Sequence, residues 1–159
     1  MKFAKYKNYR ESTGLLFWQA SMLWQRRVKQ ALQAYDLTHT QFVILAVIEE
    51  LSEQEIYITQ KKISDFSMID VMTVSSTVRL LEKKGLVFRA SHKTDTRANS
   101  ISNTERGRDI LKQAVIEVEQ VDKTFFFEKE NENIYFQKFL SLLLEKNVPK
   151  TGSLFRKHE

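Results

Sequence analysis

Between Thr59 and Asn103 this chain crowds its structural punctuation, and that stretch limits the fold more than any other. Thr59 has the chemistry of an N-cap and opens a short helix over 60–66. Ser67-Met68-Ile69 is long enough only for a turn. A second, amphipathic helix is expected over about 70–84, ended by Gly85 at the C′ position behind Lys83 and Lys84, whose charges suit a helix C-terminus. Two short strands, 86–90 and 99–103, then flank a polar, basic loop, Ser91–Ala98. Two short helices across a brief turn give helix-turn-helix spacing, and the strand–loop–strand behind them is a wing.

The flanks read as helices. Phe17, Ala20, Trp24, Val28, Ala31 and Tyr35 recur at steps of three and four and predict one helix from about Arg10 to Tyr35. Leu15, Trp18, Met22 and Leu32 widen its apolar front beyond what one neighbour covers, so either a partner subunit or a ligand cavity is needed. Thr38-His39-Thr40-Gln41 fits a capping box and opens a helix through the apolar run Phe42–Ile48 to about Leu51. Ile56–Ile58 has the character of a short strand. Thr104 caps a further helix carrying Ile110, Ala114, Val118, Val121 and Phe125. After 128–133 a last helix, rich in Phe and Leu, is apolar almost all round. Residues 1–9 read as a basic arm and 147–159 as an irregular tail.

Composition removes several function classes. The 159 residues favour one domain and suffice for a core without covalent staples. Zero Cys excludes disulfides, thiolate metal sites and a cysteine redox switch, and the three His, at 39, 92 and 158, share no ligand spacing. No nucleophile–base–orienter set, phosphate-cradling Gly loop or metal pair is evident, so neither enzyme nor cofactor is expected. No secretory or spanning segment is found, which points to the cytoplasm and away from membranes. The net charge is +5, and the segment Arg79–Arg108 alone holds eight positive and three negative side chains. That is a solvated basic face or a polyanion footprint, and it falls where a reading head is expected.

The second helix divides into two faces. Val71, Val74, Val78 and Leu81 are expected to face inward, toward Ile63 and Phe66. Met72, Thr73, Ser76, Arg79 and Lys83 face outward, with Ser75 at the margin. Small hydroxyl side chains permit close approach to base edges, or are simply a solvated helix face; the wing behind them favours the first reading. Arg79 reaches a phosphate or a guanine. Arg97 on the wing suits a minor groove. Asp95 repels phosphate, so it accepts loop N–H groups or pairs with Arg97 or Arg89. Lys93 is a phosphate neighbour, and Gln60, Lys61 and Lys62 at the start of the supporting helix would clamp the backbone and set register.

Together these pieces resemble the MarR family of bacterial transcriptional regulators. The resemblance lies in Leu37-Thr38-His39-Thr40-Gln41-Phe42, in Val74–Arg89 with Leu81-Glu82-Lys83-Lys84-Gly85, in the wing Asp95-Thr96-Arg97, and in Thr104-Glu105-Arg106-Gly107, over roughly residues 10–145. It implies a mainly α (α+β) fold of about six helices with a two- to three-stranded wing sheet. It implies one domain over 1–159, with a winged helix-turn-helix at 37–103 and dimerisation helices at 10–35 and 105–146. The function implied is that of a homodimeric repressor on a pseudo-palindromic duplex operator. Ser75 and Ser76 fall in the major-groove segment and Arg97 at the wing tip. Many members carry Arg where Ser76 stands, so operator preference does not transfer, and the family's usual Leu-Thr is Asn103-Thr104 here. Members often bind small aromatic or anionic effectors; Phe17, Trp18, Trp24 and Phe42 would line such a pocket, or serve as core. The rival reading is a winged-helix adaptor for protein interaction or dimerisation, with little DNA affinity.

Overall fold

The computed structural model describes residues 9–54, 57–91, 99–126 and 130–148. Six helices and one two-stranded sheet follow in the order α1 (Thr13–Leu32), α2 (His39–Ser52), α3 (Gln60–Ser67), α4 (Val71–Lys83), β1 (Val87–Ser91), β2 (Asn99–Asn103), α5 (Glu105–Phe126) and α6 (Glu130–Asn147). The fold is mainly helical with a small antiparallel sheet, the winged helix-turn-helix class expected.

Helix α2 is the hub because it has no fully polar side. It packs against α1, α3, α4, α5 and β2. Ile44, Leu45 and Ile48 are completely buried, and around them close Val28 and Leu32 of α1, Ile63 of α3, Val74, Val78 and Leu81 of α4, Ile101 of β2 and Ala114 of α5. The capping box forms as the sequence implies. Thr38 Oγ1 accepts from the Gln41 N–H at 3.2 Å, and Gln41 Oε1 accepts from the Thr38 N–H at 3.1 Å. Thus Gln41 is buried yet satisfied.

Several boundaries shift for local reasons. Helix α1 begins at Thr13, not Arg10, because Ser12 caps it by accepting from the Leu15 N–H; Tyr9–Glu11 is a separate 3-10 turn. It ends at Leu32, and Gln33–Tyr35 tightens to a 3-10 turn before Asp36 turns left-handed at φ 51°. Strand β1 starts at Val87 because Leu86 is used by the helix stop. Its N–H reaches Leu81 O at 2.9 Å while the Gly85 N–H reaches Glu82 O at 2.9 Å, a Schellman motif with Gly85 at φ 69°. The strand expected at Ile56–Ile58 reduces, among the described residues, to one bond from the Ile101 N–H to Ile58 O at 2.8 Å; Ile56 lies outside them. No helix of the described residues is long and apolar enough to cross a membrane.

Helix α1 packs along α5, yet Leu16, Phe17, Trp18 and Leu23 stay exposed, as do Ile134, Tyr135, Phe139 and Leu142 on α6. An aromatic chain joins α6 to the rest: the Phe136 ring lies 5.5 Å from Phe126, which lies 6.0 Å from Trp24.

Candidate nucleic-acid interface

Helices α3 and α4 form a helix-turn-helix whose turn is tied from both sides. Ser64 Oγ donates to Ile69 O and Ser67 Oγ to Ile63 O, both at 2.7 Å, while the Ile69 N–H donates to Ser67 Oγ at 3.2 Å. Met68 at the corner takes φ 60°. Asp70 then caps α4: its Oδ1 accepts from the Thr73 N–H at 2.9 Å, and bonding by Thr73 holds the Asp70 carboxyl below its ordinary pKa. The three apolar anchors of α4, Val74, Val78 and Leu81, have no exposed surface. At about 1.5–3 kcal/mol for each side chain fully buried, they fix the helix firmly.

One expected anchor is not one. Val71 is 44% exposed, and Thr77 replaces it, only 7% exposed. With Val74 as origin and about 100° per residue, Val71 stands some 60° to one side and Thr77 as far to the other. Val78, about 40° to the Val71 side, and Leu81, about 20° to the Thr77 side, leave the inward direction close to Val74, so phase alone does not separate the two positions. A hydroxyl at 77 read as solvated from its polarity alone, whereas Val71 is the first residue of α4.

The outer face of α4 carries what was expected. Met72, Ser76, Arg79 and Lys83 are exposed, and Thr73 and Ser75 sit half-buried at the edges. Ser76 Oγ donates to Thr73 O at 3.0 Å, which leaves its lone pairs outward as acceptors. On α3, Gln60 is half-buried. Lys61 pairs with Asp65 one turn on, and Lys62 Nζ donates to Tyr57 O at 3.0 Å. These two lysines are engaged locally, so a contact with phosphate would require exchange of partners.

The wing root is more polar than the sequence suggested. The strands pair from Val87↔Asn103 to Ser91↔Asn99. Asn103 is 4% exposed, and its Nδ2 donates to Leu45 O and Glu49 Oε2, each at 2.9 Å. Glu49 also accepts from Arg108 Nε at 3.2 Å. Asn103 therefore ties β2 to α2 directly and, through Glu49 and Arg108, to α5, which is more than the change of cap context expected of it. Arg89, one of the partners suggested for Asp95, donates to Glu82; that contact lowers the Glu82 pKa and raises that of Arg89. Lys93, Asp95 and Arg97 lie outside the described residues. The basic excess is also thinner than its count: Lys84 pairs with Asp36 and Arg108 with Glu49, both acids from outside the 79–108 segment.

The joint behind the wing depends on Gly107. Thr104 Oγ1 accepts from the Gly107 N–H at 3.0 Å and donates to Gly85 O at 2.8 Å, while the Thr104 N–H meets Leu86 O at 3.0 Å. A Cβ on Gly107 would fall 2.1 Å from Leu86 O.

The ArnR1-like winged-helix domain model matches residues 33–127, from the end of α1 through α5. The chain belongs to the ArnR1-like winged-helix family and, with it, to the MarR-type winged helix-turn-helix regulators. This regulator is 40% identical over 131 residues to the uncharacterized HTH-type transcriptional regulator YdcH of Bacillus subtilis (strain 168), covering 80% of this chain and 89% of YdcH. Against the HTH-type transcriptional regulator SarZ of Staphylococcus epidermidis it is 34% identical over 95 residues, which is 60% of this chain and 62% of SarZ. Its fold matches the S. aureus MepR–DNA complex with a TM-score of 0.75 at 25% identity, over 85% of this chain and 98% of MepR.

Of the expected effector-site residues, Trp24 and Phe42 pack against the core, while Phe17 and Trp18 are exposed on α1. Trp24 Nε1 donates to Asp122 Oδ1 at 2.7 Å and its ring meets His39 edge-on at 5.1 Å. Burial lowers the His39 pKa, and the Asp122 charge opposes that shift. A cleft of about 370 Å³ opens beside them, lined by Met22, Gln25, Arg26, Lys29, Leu37, Thr38 and His39; Trp18 lines a neighbouring groove with Met22 and Arg26. The cleft is walled mostly by apolar surface, and Arg26 and Lys29 supply its basic groups; these two went unread because they look like an ordinary solvated helix face. Among the described residues no group of three His, Cys, Asp or Glu could hold a metal ion.

Proposed function

We propose that this chain is a homodimeric, sequence-specific duplex-DNA regulator, most simply a repressor, released by a small anionic effector. The observation that carries the reading is α4. It is pinned by three fully buried side chains and a side-chain cap at its start, and it presents Met72, Thr73, Ser75, Ser76 and Arg79 outward beside the β1–β2 sheet. A rigid helix with small polar side chains toward its N-terminal end fits the major groove. Gln60, Lys61 and Lys62 would engage phosphates, and Lys93, Asp95 and Arg97 would form the wing contact. The chain acts as one domain, with 37–103 reading and 10–35 and 105–146 pairing. The exposed Phe17, Trp18, Tyr135 and Phe139 supply apolar surface for that pairing.

An anionic effector fits the cleft at the α1–α2 junction, where Arg26 and Lys29 supply charge and Gln25 and Thr38 supply hydrogen bonds. Its volume of about 370 Å³ is that of a small-molecule site.

Selection of bound duplexes from a random pool tests the whole reading. The expected product is a pseudo-palindrome with half-sites about one helical turn apart. No enrichment over the input pool would sink it, and an asymmetric consensus would sink the dimer. On the selected duplex, Arg97→Ala should weaken binding and lower the salt dependence by about one counterion, whereas Ser76→Ala should change the order of preferred sequences.

A further inference from the structure

The reading head carries a chemistry that duplex binding leaves unused. The chain has four methionines and no cysteine, so thioethers are its sulfur groups. Met1 lies outside the described residues, and Met22 is half-buried on α1. The other two both stand on the head. Met68 is 49% exposed at the corner between α3 and α4, and Met72 is 76% exposed in the first turn of α4.

We propose that Met68 and Met72 form an oxidant-sensitive modification site on the duplex-facing surface, and that their conversion to sulfoxide releases the nucleic acid. The inference rests on the assignment of α4 as the duplex-facing helix. The oxidant is a hydroperoxide. A sulfur lone pair attacks the outer peroxide oxygen, an S–O bond forms and the O–O bond breaks. The departing oxygen takes the proton and leaves as water or an alcohol. Sulfur loses two electrons and the peroxide gains them.

The placement makes the effect local. Neither side chain belongs to the buried core. The corner between them is held by the Ser64, Ser67 and Asp70 hydrogen bonds, none of which uses a thioether. Oxidation therefore leaves the head folded and changes its face. A flexible apolar group able to lie against thymine methyls becomes a polar, chiral one. Its new oxygen is an acceptor, set against phosphates and groove edges rich in acceptors. Enzymatic reduction of the sulfoxide restores the thioether, so the change is reversible.

The test uses the full chain, hydrogen peroxide as the oxidant and the duplex recovered by selection. Peptide mass mapping should show Met68 and Met72 gaining oxygen at least about fivefold faster than Met22, because susceptibility follows exposure. Duplex affinity, read by fluorescence anisotropy, should fall by about tenfold or more, as expected for loss of one good base-edge contact, with far-UV circular dichroism unchanged. Methionine sulfoxide reductases should restore it. The double variant Met68→Leu/Met72→Leu, compared with its own untreated sample, should lose less than about twofold on treatment, because no thioether remains on the face. Three outcomes overturn the inference: equal peroxide sensitivity in the double variant, full oxidation at both sites with affinity unchanged, or prior oxidation of Met22. An untreated protein that enriches no duplex overturns the assignment of α4, and the inference falls with it.

Discussion

Replacing Gly107 with Ala sets two opposite expectations against each other. Gly107 lies in the first turn of α5, where Ala is the better helix former by about 1 kcal/mol. Helix propensity alone therefore predicts a more stable protein. The packing predicts the reverse. The new Cβ would stand 2.1 Å from Leu86 O, 3.0 Å from its carbonyl carbon and 3.4 Å from its Cα. Carbon–oxygen contacts settle near 3.3 Å or beyond, so the joint must open by about 1 Å. The atoms in the way are backbone, held by the Schellman motif, and cannot rotate aside. Opening breaks the Thr104 N–H to Leu86 O bond and strains the Thr104 Oγ1 to Gly85 O bond. Two hydrogen bonds at about 1 kcal/mol each, with about 1–3 kcal/mol for overpacking against buried Leu86, outweigh the propensity gain and leave roughly 2–4 kcal/mol of destabilisation. For a chain of this size that is a fall in Tm of about 5–15 °C. Thermal melts by far-UV circular dichroism, at one fixed concentration because self-association shifts Tm, give the reading. Gly14→Ala is the control: its Cβ meets nothing within 4 Å in α1, and it should melt at or slightly above the parent. A Gly107→Ala protein melting no lower than the parent would refute the close approach.

Four further outcomes are expected. Thr38→Ala removes the acceptor of the Gln41 N–H and should cost about 1 kcal/mol, read as a lower urea midpoint with unchanged slope. Asn103→Ala strips Glu49 and Leu45 O of a buried donor. It should cost about 2 kcal/mol, with a coupling to Glu49→Ala of at least about 0.5 kcal/mol in a double-mutant cycle. His39 has a folded pKa below its ordinary 6.5, so the unfolded chain takes up its proton first. The neutral fold is unpenalised above 6.5 and loses stability as pH falls from there through the folded pKa. Hence His39→Gln should flatten the fall in Tm between about pH 7.5 and 5.5, and an unchanged slope would remove His39 as its source. Arg79→Ala should weaken duplex binding and reduce the salt slope by about one; equal slopes would place Arg79 off the interface.

What was legible in the sequence is what short-range chemistry decides. The caps at Thr38, Thr59 and Thr104 and the stop at Gly85 each need only neighbours within five positions, and each forms. From them follow the helix order, the corner and the wing. What was not legible depends on partners far away in sequence. Glu49 and Arg108 are 59 positions apart, and Lys84 and Asp36 are 48 apart; no pattern in either neighbourhood announces the pairing. The error at Val71 is of another kind. The 100° phase was right, but an apolar residue at N1 has no earlier turn of its own helix to help cover it, so composition at that position outran burial.

These long-range pairs bear on how the two ends of the molecule are joined. Lys84, the C-cap of α4, donates to the backbone of Asp36, pairs with its carboxylate at 3.0 Å and reaches Gln41 Oε1 at 3.3 Å. Gln41 in turn belongs to the capping box of Thr38. The lining of the cleft includes Leu37, Thr38 and His39, residues of the same six-residue stretch. The wall of the cleft and the C-terminal anchor of the outward-facing helix are therefore one hydrogen-bonded unit. Side-chain hydrogen bonds join Thr38 to Gln41 and Gln41 to Lys84. At its other end α4 is fixed by Asp70 and the tied corner, so a shift introduced through Lys84 would act about the N-terminal end of the helix. Lys84→Met keeps the length of the side chain and its fit to the helix end while removing all three polar contacts. Its effect on duplex binding with and without a bound anion measures how much of any coupling passes through this clamp, because reciprocity requires the same factor to appear in both affinities.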